Sequence, residues 1–236
     1  MVKFLMIETA TDECSVALAS SDGILFMKRF AEPKAHASVL APFVWSVLRE
    51  DGITASECSA VSVSMGPGSY TGLRVGVSTA KGLCYGAGIP LIGVSTLDIL
   101  AYMAKERLME TGMDTDVAIV PMIDARRMEV YTAVYDAVCT RRTEIGPKVL
   151  DSDSYSELFE KYSGVVFIGD GAAKFERCLD DRKLGRSTFI PVSPSASGMF
   201  IPTLRAWESG TFEDVAYCEP FYLKDFVAGV SRRKLF

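Results

Sequence analysis

Hydrophobic residues at the start of the chain follow a pattern that predicts strands. Phe4-Leu5-Met6-Ile7 reads as a strand ending at an acid, Glu8. After a polar turn, Ser15-Val16-Ala17-Leu18-Ala19 reads as a second strand, and past Ser21-Asp22-Gly23 the run Ile24 to Phe30 reads as a third. Together they predict a hairpin meander. From Ala35 to Glu50 the period becomes helical, with Val39, Leu40, Phe43, Val44, Val47 and Leu48 on one stripe. Val61-Ser62-Val63-Ser64 then predicts a strand running into Gly66-Pro67-Gly68, and Tyr70 to Gly86 predicts a helix.

The second half repeats this order. Ala118 to Ile123 is a strand ending at Asp124, the chain turns through Ala125-Arg126-Arg127, and Glu129 to Tyr135 returns. A helix-like run follows, then Val165 to Ile168, the loop Gly169-Asp170-Gly171-Ala172 and a helical run Lys174 to Leu179. Both halves therefore read hairpin, helix, strand, glycine loop, helix, which predicts an α/β protein of two duplicated lobes with mixed sheets flanked by helices. The seam falls within 97–116, where Leu97 to Leu108 looks helical and Thr111-Gly112-Met113-Asp114 looks like a connector, giving lobes 1–97 and 98–236.

The loop Gly66 to Gly72 is the stretch best suited to binding. Gly66 and Gly68 permit positive φ and close approach to the backbone, Ser69 can cap the helix start, and free amides there attract anions. Its Gly-x-Gly-x-x-x-Gly spacing matches neither the dinucleotide fingerprint nor the P-loop. Along the helix, Gly72, Gly76 and Ala80 recur every four residues, with Thr79 and Leu83 beside them. That face admits close contact with another helix or with the protein's own sheet.

Composition narrows the function classes. With 236 residues, 49% hydrophobic content and a net charge of −5, the chain can bury a core and carries no broad basic footprint for nucleic acid. Its basic cluster, Arg232-Arg233-Lys234, reads as a solvated tail. Six cysteines without a Cys-x-x-Cys pair predict buried thiols in a reduced, cytoplasmic protein, and neither a targeting segment nor an apolar run of membrane-spanning length is expected. His36 is the sole histidine, which excludes any paired-histidine metal site; a partly exposed residue in the first helical turn is expected there.

Five blocks in order then carry a resemblance: Ile7-Glu8-Thr9-Ala10-Thr11 with Cys14 to Leu18; Gly66 to Gly86; Gly93-Val94-Ser95-Thr96-Leu97; Asp124-Ala125-Arg126-Arg127 with Glu129-Val130-Tyr131; and Pro220-Phe221-Tyr222-Leu223. Along nearly its whole length the chain resembles the actin/Hsp70/hexokinase-like superfamily, whose lobes are ribonuclease H-like, and within it the TsaB family of tRNA threonylcarbamoyladenosine biosynthesis proteins. The resemblance implies a non-catalytic subunit that helps modify the adenosine 3′ to the anticodon in tRNAs reading codons that begin with A. Its partner would be the catalytic paralog TsaD, with the ATPase TsaE joining through the complex, tRNA contacted indirectly, and homodimers left open when the paralog is absent. Cofactors are not expected for the isolated chain; ATP or ADP would enter only within the complex.

The family's interface helices map onto Ala35 to Glu50 and Tyr70 to Gly86. That places His36, Val39, Leu40, Phe43, Val47, Tyr70, Gly72, Leu73, Gly76, Thr79, Ala80 and Leu83 at the partner surface. In the superfamily's ATPases two acids face each other across the cleft and position a metal-bound nucleotide. Glu8 and Asp124 would hold those places here, with Gly66 and Gly68 nearby, and they read as structural relics; Glu8 departs from the aspartate commoner in the family. Arg126 and Arg127 are expected to brace the turn or the cleft rather than to act as arginine fingers, and Tyr70 to anchor the loop. An active ATPase or phosphotransferase, or a peptidase, are the alternative classes, the last weakened by the single histidine.

Overall fold

The computed structural model describes residues 2–32, 35–111 and 116–223. The connector at Gly112-Met113-Asp114 and the basic cluster Arg232-Arg233-Lys234 lie outside the described residues. The first lobe opens with β1 (Lys3–Glu8), β2 (Cys14–Ser20) and β3 (Gly23–Phe30), followed by α1 (His36–Glu50), β4 (Ala60–Gly66), α2 (Tyr70–Ala87) and β5 (Leu91–Ser95). Its sheet has the order β3-β2-β1-β4-β5, antiparallel across the meander and parallel from β1 to β5. Phe4, Leu5, Met6 and Ile7 form an unbroken apolar run because β1 is central and covered on both faces. Leu5 and Ile7 pack with α1 and α2, whereas Phe4 and Met6 pack on the opposite face. At the edge, β3 is half-exposed and carries Lys28 and Arg29, charges that discourage strand addition.

α3 (Thr96–Thr111) joins the lobes and is apolar on more than one side: Leu97, Leu100 and Ala101 serve the second core, Ile99 the first. The second lobe contains β6 (Val117–Asp124), β7 (Glu129–Thr132), the short β8 (Tyr135–Asp136), β9 (Gly146–Val149), α4 (Ser156–Lys161), β10 (Gly164–Ile168), α5 (Ala172–Glu176), α6 (Asp181–Leu184) and β11 (Ser187–Ile190). Its sheet runs β11-β10-β6-β7-β9, with β8 pairing β6 off that path. The duplication extends to the loops: β4 ends at Gly66 with φ 104° and β10 runs into Gly169 with φ 120°, both in a region that favours glycine. The helical run expected over Lys174 to Leu179 is shorter, ending at Glu176, and Asp180 caps a new helix through Lys183 N–H.

The strands of the first sheet end at Ser95 and those of the second begin at Val117. The chain beyond Ala196, assigned from the sequence to the second lobe, returns to the first. Ala196 and Met199 pack with Phe4, Met6 and Ala17, and Ala196 N–H donates to Ser15 Oγ at 3.0 Å. In α7 (Phe200–Glu208), Thr203 donates to Ser62 Oγ at 2.9 Å beneath the sheet. Farther on, Glu213 N–H bonds Leu91 O and Phe221 N–H bonds Met65 O, so the segment runs along β5 towards the mouth of the cleft. Among the described residues no helix is long and apolar enough to cross a membrane.

Candidate functional site

Between the lobes lies a cleft of about 630 Å³. The first lobe contributes Thr11, Asp12, Gly68, Ser69 and Tyr70, the second Asp124, Arg126, Tyr131 and Asp170, and Phe221 to Leu223 border the same space. Asp124 is at the end of β6 as expected, but its near oxygen is engaged: Oδ1 accepts from Lys174 Nζ at 2.8 Å and from Arg126 N–H at 2.6 Å. The same ammonium donates to Arg127 O and Glu129 O, both at 2.9 Å. Arg126 and Arg127 do shape the turn, through left-handed backbone at φ 69° and 51° and through those backbone groups. Among the described residues no group of three or more His, Cys, Asp or Glu side chains forms a cation site.

Glu8 does not face Asp124. It is absent from the cleft lining and wholly buried. Alternation along β1 puts it on the face of Phe4 and Met6, so the side chain turns beneath the sheet. There Oε1 accepts Ala10 N–H at 2.5 Å, and Oε2 has no partner among the described residues. Burial pushes its carboxyl from 4.5 up to about 7, against hydrogen bonds from Ala10, Ser64 and Thr9 that stabilise the ionised form. The two acids that occupy corresponding places in the duplicated sequence therefore have different environments.

The glycine loop is filled by the protein itself. A Cβ at Gly68 would overlap the carbonyl of Ala10, which instead accepts Ser69 N–H at 2.6 Å, while Ser69 Oγ caps α2 by accepting Gly72 N–H at 3.3 Å. Gly72 and Gly76 likewise face Thr9: a Cβ on the first would overlap Thr9 O, on the second Thr9 Oγ1. The smooth face expected at the partner surface is thus closed on β1's end, and Leu73 and Ala80 are buried with it. Small residues are required because this helix approaches a strand end directly.

Of the other expected interface residues, Leu40 and Val47 are core, and Val39, Phe43, Tyr70, Thr79 and Leu83 are half-buried. His36 is buried rather than partly exposed, because its Nε2–H donates to Thr11 O at 2.8 Å and ties α1 to the turn after β1. Tyr70 does anchor a loop: its ring lies 4.9 Å from that of Tyr222 and 4.2 Å from the Arg74 guanidinium. The outward faces are different residues. On α1 they include Ala41, Pro42 and Trp45, on α2 Ser78, Gly82, Tyr85 and Gly86; Trp45 is 60% exposed and Tyr85 87%. Gly82 and Gly86 have open space where a Cβ would be. A tryptophan off the apolar stripe of α1 was the sequence signal that marks this surface.

The family model for TsaD, tRNA N6-adenosine threonylcarbamoyltransferase, matches residues 31–219. The tRNA threonylcarbamoyladenosine biosynthesis protein TsaB of Escherichia coli K12 is 32% identical over 96% of this chain and 96% of its own length. The Bacillus subtilis TsaB is also 32% identical, over 79% of this chain and 78% of its own length. Among solved structures, YeaZ from Pseudomonas aeruginosa superposes with a TM-score of 0.78 at 26% identity, covering 94% of this chain and all of that one. With two duplicated lobes of mixed sheet and flanking helices, the chain belongs to the TsaB family, a branch of the TsaD-like proteins on the actin-like fold.

Proposed function

We propose that this protein is a non-catalytic subunit in threonylcarbamoyl modification of the adenosine 3′ to the anticodon, in tRNAs reading codons that begin with A. It acts in the cytoplasm by presenting the outward faces of α1 and α2 to a TsaD-type catalytic paralog. The observation that carries this reading is the pair of exposed aromatics on those helices, Trp45 and Tyr85, with Gly82 and Gly86 open beside the second. Aromatic anchors next to small residues suit a close, well-packed interface. The names of the E. coli and B. subtilis relatives support the pathway, and the match to a TsaD family model supports a paralogous pair. A TsaE-type ATPase and tRNA then engage the assembled pair, and nucleotide enters only there; the same helix faces serve a homodimer when the paralog is absent.

Reconstitution tests the proposal. The purified chain alone should neither transfer threonylcarbamoyl nor turn over ATP, and should restore modification when mixed with the paralog, the ATPase and the adenylate-forming enzyme. Trp45→Ala and Tyr85→Ala should each weaken binding to the paralog by about thirtyfold, the order of a 2 kcal/mol anchor, while leaving the fold intact. ATP turnover by the isolated chain that is lost in Asp124→Ala would instead establish the ATPase reading.

A further inference from the structure

A second concavity, of about 330 Å³, shares no lining residue with the cleft. Its walls come from both lobes: Gly93 of β5, Asp98 and Tyr102 of α3, Tyr135 of β8, Arg141 beyond it, and Arg205 of α7. The floor is already bonded. Tyr135 donates its hydroxyl proton to Asp98 Oδ1 at 2.5 Å, and burial together with the Asp98 charge pushes that phenol up, so it remains protonated. The Arg141 side chain bonds the same hydroxyl, and the Arg205 guanidinium lies 5.3 Å from the Tyr102 ring.

Both guanidinium groups are exposed, and among the described residues neither has a carboxylate within ion-pair distance. Arg142, one residue along, shows the contrast: it pairs with Asp136 at 2.5 Å. Glu213 rests against Gly93 without reaching ion-pair distance of either arginine. In a chain of net charge −5, two arginines without an ion-pair partner among the described residues share one hollow with a single carboxylate, Asp98, one oxygen of which accepts from Tyr135, so the positive charge is in excess there. Guanidinium forks match oxyanions in geometry as well as charge, and a pocket near the lower end of the usual ligand range suits a small molecule.

We infer that this pocket binds the phosphate group of a small phosphomonoester, held by Arg141 from the second lobe and Arg205 from the helix that packs on the first. A bound phosphate then ties the lobes together at a junction remote from the α1 and α2 faces. RNA phosphate shares the chemistry but does not call for a concave site.

Calorimetric titration of the full chain with inorganic phosphate and adenosine monophosphate at low ionic strength tests this, read alongside the arginine Nε–H resonances. Saturable binding is expected, with chloride at equal ionic strength failing to mimic it. Arg141→Gln and Arg205→Gln should each weaken binding about tenfold or more, the usual scale of a charge-assisted hydrogen bond. Should Arg205→Gln fail to fold, Arg205→Lys keeps the charge but loses the fork, and a loss smaller than that of Arg141→Gln is expected. Unaltered binding in the arginine variants overturns the inference. So does loss of binding in Arg126→Gln, which would put the phosphate in the cleft, or a short single-stranded RNA that binds through these arginines while neither small phosphate saturates.

Discussion

Adding one methyl group to α2 tests whether its glycine face is internal. A Cβ at Gly76 would overlap Thr9 Oγ1 and sit 3.3 Å from Thr9 Cβ and 3.4 Å from Cγ2. Thr9 is fully buried and β-branched, so its side chain has little room to rotate away. Against this, alanine gains about 1 kcal/mol over glycine inside a helix. Overpacking at a site of this kind costs roughly 1–3 kcal/mol, and more where a whole atom overlaps, so Gly76→Ala should be net destabilising by about 1–2 kcal/mol. Thr9→Ala removes Oγ1 and Cγ2 and leaves the 3.3 Å contact, which is tight but tolerable. It also removes a buried hydroxyl that has no hydrogen-bond partner among the described residues. In that background the Gly76→Ala cost should shrink to within about 1 kcal/mol of zero, a coupling of roughly 1–2 kcal/mol in a double-mutant cycle. Urea unfolding of the four proteins, with unchanged m values, measures it. Equal destabilisation in both backgrounds, or stabilisation in the parent, would refute the packing of Gly76 on Thr9.

Gly82→Ala, where a Cβ meets open space, should stabilise the isolated chain by about 0.5–1 kcal/mol in the same assay, and a loss would contradict the openness of that position. Glu8 releases its proton at 4.5 in the unfolded chain and at about 7 in the fold, so the folded state holds the extra proton between those values. Stability should therefore fall as pH rises across that window, by on the order of 3 kcal/mol, and Glu8→Gln should flatten the slope; an unchanged slope excludes Glu8 as its source. Lys174→Met withdraws one ammonium from Asp124 Oδ1, Arg127 O and Glu129 O in a partly exposed site and should cost about 1–2 kcal/mol, with amide exchange quickening at residues 124–129. Unaltered exchange would mean that the turn holds without it.

Legibility followed the strength of the local signal. α1 and α2 were readable nearly to the residue, because a 3.6-residue stripe marks each of these long helices and Ser69 caps the second. The edge strands of the second sheet were not. Gly146–Val149 contains Pro147 and lies where the repeat predicts a helix-like run, and half-exposed Ser187–Ile190 shows little alternation; both are strands because a neighbour offers a ladder. The return of Ala196 and Met199 to the first sheet had no local signal, since its cause is a covering of Phe4 and Met6 nearly two hundred residues earlier. At Gly72 and Gly76 the sequence announced close approach but could not name the approaching group. Thr9 was the clue: continuing β1's alternation from Leu5 and Ile7 turns it towards the helix side.

The two strand-end acids show how duplicated positions can diverge electrostatically while the fold is kept. Glu8 is sealed beneath the first sheet, where burial favours its neutral form, and its backbone neighbour Ala10 closes over Gly68. Asp124 stays at the cleft surface, but an ammonium and a backbone amide occupy its near oxygen. A ligand in the cleft therefore meets Asp124 with Lys174 already on one of its oxygens, and does not meet Glu8, which is absent from the cleft lining. What the cleft presents to a ligand is mixed: exposed Ser69 and Arg126 and the rings of Tyr70 and Tyr222, beside three exposed acids, Asp12, Asp124 and Asp170. The duplicated acids thus no longer form a matched pair across the cleft: one serves the packing beneath the first sheet and the other holds the turn that follows β6.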